Sequence, residues 1–494
     1  MSVTPFSSRR TLVPTSFKSD IPPRSVKRSR NLDICAKLTT IQEGRKDVIG
    51  LSLNKPITIG RNPDRCSYVV ADTSVSGVHC TIFAVRSQHG GVIVSCQDIS
   101  KNGIFLNAQR IKKTSVILMD NDLLKLPDSI TFMCTHVWKD SVPVDRFSVV
   151  DPPPQALRRS THKHIGRYTV SGQCLGSGSF ATVHLAFSSH RRCQVACKSI
   201  TIKSKKDSEK ELDQVMKETR ILMGLNHPNI NRIYDSEEDP DSKYFHIFLQ
   251  LCTGGDLFTY INSYGERYER MEEQEVKYIM YQLLLGLKYL HSQHISHRDL
   301  KPENILLYAP GPYPRIQIAD FGLARPKAWQ ETFNVCGTVS YLPPEGVLAL
   351  DQKHLGYVGM PSDCWSAGII LYIMLSGSHP FDYDAPCDSR ASRILHSVGS
   401  EYHSEESELL ANCFRSEAQL KERIIDGQVE FHPSIWHDLH EAKTLILLLL
   451  IHDPLKRAKV ADALKSLWIT KDLNMLENAY RARITASISP AEKL

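Results

Sequence analysis

The chain has 494 residues, 41% hydrophobic and 23% charged, with a formal net charge of +6. That length favours two or three domains, each able to bury a core, and the composition is that of an ordinary soluble protein. Residues 1–30 hold seven basic side chains (Arg9, Arg10, Lys18, Arg24, Lys27, Arg28, Arg30) against Asp20, which accounts for the whole net charge and argues against a domain-wide nucleic-acid surface.

The thirteen cysteines form no CxxC pair or other zinc spacing and read as reduced thiols of a cytosolic or nuclear protein. No secretory signal is expected, because the N-terminus lacks an apolar core after its charges. The longest apolar run, Leu445 to Ile451, is too short to span a bilayer and is expected to be a buried helix.

Residues 1–30 are rich in Ser, Pro, Arg and Lys and are expected to be a disordered basic tail. Within it, Arg24-Ser-Val-Lys27-Arg28-Ser-Arg30 reads equally as a nuclear-import patch or a solvated tail. Residues 31–140 change character. Short β-rich runs (Ile57-Thr58-Ile59, Ser67 to Val70, Thr81 to Val85, Gly91 to Val94) alternate with Gly, Asn and Asp, as in a β-sandwich. Three loop motifs stand out: Gly60-Arg61, Ser76-Gly77-Val78-His79, and Asp98 to Gly103, with Asn107 beyond. Arg61 offers a fork of donors to phosphate oxygens, and Ser76 adds a hydroxyl donor.

These motifs resemble the forkhead-associated (FHA) domain, a phosphothreonine-recognition module. The resemblance implies that Asn102 binds the peptide main chain and that His79 braces the loops. Gly77 and Lys101 depart from the family pattern; Lys101 adds a charge where a Ser or Thr is usual. Residues 141–163 read as a linker, because Asp151-Pro152-Pro153-Pro154 can continue neither a helix nor a central strand. Arg158-Arg159-Ser160-Thr161 within it places an arginine three residues before a threonine.

Residues 164–470 form the second domain. It opens on Leu175-Gly176-Ser177-Gly178-Ser179-Phe180-Ala181-Thr182-Val183, whose glycines let the backbone fold closely over phosphates, although Ala181 replaces a third glycine. Val195-Ala196-Cys197-Lys198 reads as a buried strand ending in a lysine, which would be costly unpaired. Glu218 lies on a predicted helix from Lys210 to Leu225, and Tyr244 to Leu251 reads as a strand. Further on, His297-Arg298-Asp299-Leu300-Lys301-Pro302-Glu303-Asn304 precedes Asp320-Phe321-Gly322. This set suits transfer of a phosphoryl group from a metal-nucleotide to a hydroxyl. Asp299 can orient the hydroxyl and take its proton, Lys301 can neutralise charge on the moving group, and Asn304 and Asp320 can hold magnesium through oxygen.

The order of these residues resembles the protein kinase signature. The resemblance implies an all-β FHA sandwich followed by a bilobal α+β protein kinase fold, with ATP and Mg2+ as cofactors. It pairs Lys198 with Glu218, makes Leu249 the gatekeeper and Gln250 to Cys252 the hinge, and puts Val183, Ala196 and Leu306 around the base, with Asp256 beside the nucleotide. Asp256 and Glu303 would bind an arginine three residues before the target Ser/Thr, so that protein substrates carry Arg-x-x-Ser/Thr. Arg298 calls for a phosphate on the activation segment, yet Asn334 occupies the position where a threonine is usual. Thr332 or Thr338 could take the phosphate instead, or Asn334 could stand in by hydrogen bonding. Thr338 would otherwise bond to Asp299 and Lys301. Glu345 should find Arg457, and Asp363 should brace the backbone around Asp299. Residues 382–420 read as a surface insertion and 471–494 as a C-terminal tail with one helix.

Over its full length the chain resembles the checkpoint kinase 2 family and its meiotic relatives. That implies a nuclear enzyme, with the cytoplasm as a second location, acting in DNA-damage or meiotic checkpoint signalling. Its FHA domain would dock on a phosphothreonine-bearing adaptor or a second copy of the chain; no direct nucleic-acid or membrane partner is expected. Residues 1–56 lack the clustered Ser-Gln or Thr-Gln sites of that family, so activation through such a cluster is not expected. The alternative is a pseudokinase scaffold that binds phosphothreonine proteins without catalysis.

Overall fold

A computed structural model describes residues 34–137, 163–381 and 417–485, apart from residues 42–45, 54, 88–90, 178–180, 202–207, 240–243, 266–269, 322–324, 327–330, 333–337 and 352–355 within them. The basic tail, residues 141–162 of the linker with Thr161, and most of the 382–420 insertion lie outside the described residues.

The first eleven strands are β1 (Ile34–Thr40), β2 (Val48–Ser52), β3 (Ile57–Gly60), β4 (Tyr68–Val69), β5 (Cys80–Arg86), β6 (Val92–Asp98), β7 (Ile104–Leu106), β8 (Gln109–Ile111), β9 (Ser115–Ile117), β10 (Leu123–Lys125) and β11 (Thr131–His136). They form one sheet in the order β2-β1-β11-β10-β7-β8 and another in the order β4-β3-β5-β6-β9. In β5, Cys80, Ile82 and Ala84 are buried while Thr81 and Phe83 are not, the period of two that directs one face inward. Leu38 and Phe132 from the first sheet share a core with Ile59, Ile82 and Val94 from the second, as in a sandwich. Gly60 must be glycine: a Cβ there would sit 2.4 Å from the Gly77 carbonyl. That close approach holds the Arg61 loop against the Ser76 loop.

The second part opens with β12 (Lys163–Ile165), β13 (Tyr168–Ser177), β14 (Ala181–Ser188), β15 (Cys193–Thr201), β16 (Ile233–Asp239) and β17 (Tyr244–Gln250). They make an antiparallel sheet in the order β12-β13-β14-β15-β17-β16. Helix α1 (Ser208–Met223) begins and ends two residues before the expected span. A larger helical lobe follows, built on α2 (Leu257–Gly265), α3 (Glu273–Ser292) and, further along, the helix Gly359–Ser376. That last helix is buried along most of its length, including Asp363, Trp365 and Ile369, as expected of a helix hydrophobic all round. Among the described residues, no helix is long and apolar enough to cross a membrane.

The apolar run at 445–451 is only partly buried. Helix His440–Leu449 turns Leu445, Ile446 and Leu449 inward, whereas Leu447 and Leu448 are 46% and 43% exposed. Helical periodicity sends consecutive residues to different faces, so a continuous apolar run cannot all be covered from one side. The tail is more ordered than one free helix: Leu473–Tyr480 continues into a π-helical turn through Thr485. Leu476 and Ile484 are buried in the main core, and the Tyr480 hydroxyl donates to Asn229 Oδ1 at 2.7 Å.

Candidate active site and phosphate-binding face

Between α3 and the helix Gly359–Ser376 the chain runs through β18 (Ile295–Ser296), a 3-10 turn Pro302–Asn304, β19 (Ile305–Leu307) and β20 (Ile316–Ile318). The loop from His297 to Lys301 is held from below by Asp363. Its Oδ2 accepts from the His297 backbone N–H and its Oδ1 from that of Arg298, both at 2.9 Å, and His291 Nε2 lies 2.9 Å from Oδ2. His297 is fully buried, and its Nε2 meets the Ala319 carbonyl at 2.8 Å, tying this loop to the segment that leads from β20 to Asp320. Arg298 and Asp320 both have positive φ (71° and 59°), a conformation that costs energy outside glycine and gathers at functional sites.

Four side chains meet above this base. Asp299 Oδ1 accepts from the Thr338 backbone N–H and hydroxyl, at 3.0 and 3.1 Å. Its Oδ2 lies 3.1 Å from Lys301 Nζ and 3.1 Å from Asn304 Nδ2. Lys301 Nζ also donates to the Thr338 hydroxyl at 2.8 Å. The expected bonds of Thr338 to Asp299 and Lys301 are therefore present. Rather than ending at Lys198 as expected, β15 runs on to Thr201; from within the strand Lys198 reaches across to Asp320 Oδ1 at 2.5 Å. Glu218 lies on α1, but its side chain is outside the described residues. Asp320 is half exposed and stands close to Asn304, whose backbone carbonyl accepts from the Ala319 N–H.

Among the described residues no group of three or more His, Cys, Asp or Glu side chains could hold a metal unaided. Asn304 and Asp320 fit a magnesium site of a different kind, in which two oxygen side chains suffice because phosphate oxygens and water complete the shell.

Of the expected nucleotide residues that are described, most lie on β13, β14, β15, β17 and β19, and Cys252 and Asp256 follow β17 in the hinge. Leu175, Gly176 and Ser177 end β13, and Ala181 and Val183 begin β14; Gly178, Ser179 and Phe180 lie outside the described residues. Val183 pairs with Lys198 and Ala196 with Leu249 in the ladder, so the apolar lining forms one patch. Leu306, on β19 of the larger lobe, pairs with Asp256 just past the hinge. The hinge is tied from behind. Gln317 Nε2 donates to Gln250 Oε1 at 2.7 Å, and Cys252 Sγ lies 3.1 Å from Gln317 Oε1.

Asp256 and Glu303 turn out differently. Asp256 is 5% exposed and caps α2, accepting from the Thr259 N–H and hydroxyl at 2.8 and 3.0 Å, a capping use that the sequence reading missed. Glu303 keeps a buried Oε2 that has no hydrogen-bond partner among the described residues. Burial raises its carboxyl pKa above the usual value, its own backbone N–H and Lys301 oppose that, and Asp256 and Asp299 add to it.

In the activation segment, Thr332 lies in the two-residue strand Glu331–Thr332, paired with Tyr357–Val358; its side chain and Asn334 are outside the described residues. Buried Arg298 donates from Nη2 to the hydroxyl of that same Tyr357 at 3.3 Å. The expected Glu345–Arg457 pair is bidentate, at 2.7 and 2.9 Å, with the arginine side chain fully buried.

At one end of the sandwich, Arg61, Lys101 and Asn102 are exposed beside Ser76. The Arg61 N–H donates to the Ser76 carbonyl. Ser76 Oγ accepts from the Lys101 N–H at 3.1 Å, which leaves its own proton to give outward. Buried His79 accepts from the Ser76 N–H on Nδ1 and meets the Gly103 carbonyl with Nε2, both at 3.0 Å, so it braces two loops at once. Asn102 Nδ2 donates to the Ser74 carbonyl at 2.8 Å. Arg110, absent from the sequence reading, donates to the Asn102 carbonyl from Nε and Nη2 at 3.1 and 2.7 Å. No sequence pattern marked it.

Comparison with known proteins finds two domains in the chain. The model of the protein kinase domain matches residues 169–469, and that of the FHA domain matches residues 57–127. The chain is 29% identical to the meiosis-specific serine/threonine-protein kinase MEK1 of Saccharomyces cerevisiae, over 87% of this chain and 83% of that one. It is 28% identical to the DNA damage response protein kinase DUN1 of the same yeast, over 92% and 90%. It is 30% identical to the probable serine/threonine-protein kinase fhkA of Dictyostelium discoideum, over 94% and 80%.

Proposed function

From the premise that the chain belongs to the FHA-containing serine/threonine protein kinases of the checkpoint kinase 2 family, we propose that it is an arginine-directed kinase recruited by phosphothreonine and acting in meiotic or DNA-damage signalling in the nucleus. The observation that carries the arginine preference is the buried Oε2 of Glu303, which has no partner among the described residues and lies two residues from Lys301 and four from Asp299 in the chain. A half-buried carboxylate without a donor is destabilising until a cation arrives, and a guanidinium supplies both charge and donors.

Bound metal-ATP would supply the phosphoryl group, with Asn304 and Asp320 holding the metal. Asp299 orients the substrate hydroxyl and takes its proton, once Thr338 and Lys301 have fixed the carboxylate. Lys301 offsets charge on the transferred group, and Lys198 holds phosphate oxygens. On the sandwich, Arg61 and the free hydroxyl proton of Ser76 take the phosphothreonine oxygens, Lys101 adds charge, and Asn102 takes the peptide main chain. The phosphothreonine partner is an adaptor or a second copy of the chain, and docking raises the local concentration for transfer between copies.

The test is magnesium-dependent incorporation of phosphate from ATP into an Arg-x-x-Thr peptide and its Ala-x-x-Thr counterpart, with Asp299→Ala as control. Strong labelling of the first peptide by the wild type alone is expected. Equal labelling by wild type and Asp299→Ala would favour the scaffold, and equal labelling of both peptides would remove the arginine preference.

A further inference from the structure

The FHA sandwich does not hang free of the nucleotide pocket. Gln194, on β15, points to the same strand face as Ala196 and Lys198. Its side-chain amide grips the main chain of Ile117 at the end of β9: Ile117 N–H donates to Oε1 at 2.8 Å, and Nε2 donates to the Ile117 carbonyl at 2.9 Å. An amide matched to both groups of one residue continues a β-ladder by side chain. The Ile117 side chain is 4% exposed, in a cluster with Leu185, Ala196 and Leu251, against which Val183, Leu249 and Met119 also pack.

The contact runs across both lobes. Gln109 Nε2 donates to the Arg192 carbonyl at 2.9 Å. The Arg86 carbonyl lies over Gly255, just past the hinge, and the Phe83 ring over Gly311 in the larger lobe; a Cβ on either glycine would meet them at 3.5 and 3.8 Å. At this seam, a cavity of about 350 Å³ is lined by Ile93, Ile117 and Met119 on one side and by Leu175 and Gly176 on the other. The sandwich thus packs on the hinge and leaves room at the glycine-rich strand.

We propose that the FHA domain forms the outer support of the nucleotide pocket, with Ile117 and Gln194 as positioning residues that hold the hinge and the Ala196 wall for adenine. The inference rests on the reading of Leu175 to Lys198 and Leu249 to Cys252 as the nucleotide pocket. Removing the support exposes Leu185 and Leu251 to water and loosens the hinge strand, which weakens nucleotide binding without touching the peptide or phosphothreonine sites.

The experiment compares the full chain with Gln194→Ala and Ile117→Ala. Mg-ATP affinity is measured by calorimetry and KM for ATP and for peptide by phosphate transfer, alongside the affinity for a phosphothreonine peptide. We expect ATP binding to weaken on the order of fivefold in both variants, with peptide KM and phosphothreonine affinity unchanged. Unaltered ATP affinity in Gln194→Ala would overturn the proposal, and so would tighter ATP binding, which would make the contact obstructive. If Ile117→Ala loses phosphothreonine binding, its sandwich is damaged and Gln194→Ala decides alone. A wild type that binds nucleotide but transfers no phosphate would sink the kinase reading and leave this comparison valid.

Discussion

Thr338 gives both its backbone N–H and its hydroxyl to one oxygen of Asp299. The other Asp299 oxygen lies within 3.1 Å of both Lys301 Nζ and Asn304 Nδ2, so the carboxylate has little freedom to rotate. Thr338→Ala should lower kcat about tenfold, the equivalent of about 1.4 kcal/mol, with little change in peptide KM. Thr338→Glu places a second negative charge beside Asp299 and should cost more than about a hundredfold. The same geometry argues that the activating phosphate is not on Thr338. Phosphosite mapping of active protein should find Thr332 modified and Thr338 bare; stoichiometric phosphate on Thr338 in the active fraction would contradict this.

Glu303 should make substrate recognition pH-dependent. Its carboxyl pKa is raised, chiefly by burial, so it stays protonated to a higher pH in the folded chain than in the unfolded one. Its contribution to stability is therefore present at acid pH and is lost as pH rises through the folded pKa. Two results follow. Glu303→Gln should raise the urea midpoint at neutral pH and leave it unchanged at acid pH. The KM advantage of an Arg-x-x-Thr peptide over Ala-x-x-Thr should shrink as pH falls into the carboxylate range, and should be absent at every pH in Glu303→Gln.

The Glu345–Arg457 pair predicts a stability loss. With the guanidinium fully buried, Glu345→Ala leaves a charge without its carboxylate and should cost about 3–5 kcal/mol, read from denaturant unfolding. Replacing Arg457 by Lys should cost nearly as much, because a point charge cannot reproduce two parallel bonds.

On the sandwich, Arg61→Ala should abolish binding of a phosphothreonine peptide, by about a hundredfold or more, while labelling of the free Arg-x-x-Thr peptide stays intact. Arg110→Ala should weaken the same binding by only several-fold, since it loosens the Asn102 backbone and leaves the phosphate donors in place. Unchanged binding after Arg61→Ala, measured by fluorescence anisotropy, would remove Arg61 from the site.

What could be read in the sequence was whatever is written locally. The stretch from His297 to Asn304 carries its chemistry within eight residues, and β5 shows its alternation within seven. What could not be read depends on a neighbour distant in sequence. Asp256 looks the same in the chain whether its carboxylate caps α2 or faces a substrate. Ile117 and Gln194 are 77 residues apart, and nothing in either neighbourhood announces the other. Helix His440–Leu449 shows the opposite error, in which local apolarity suggested more burial than one buried face can provide.

Asp363 joins three parts of the large lobe: α3 through His291, the Asp299 loop through two backbone N–H groups, and its own buried helix. In terms of hydrogen exchange, the amides of His297 and Arg298 are sealed by a carboxylate that is itself 1% exposed. They can trade protons with water only when the helix Gly359–Ser376 pulls away, so their exchange should report opening of the whole lobe rather than motion of a loop.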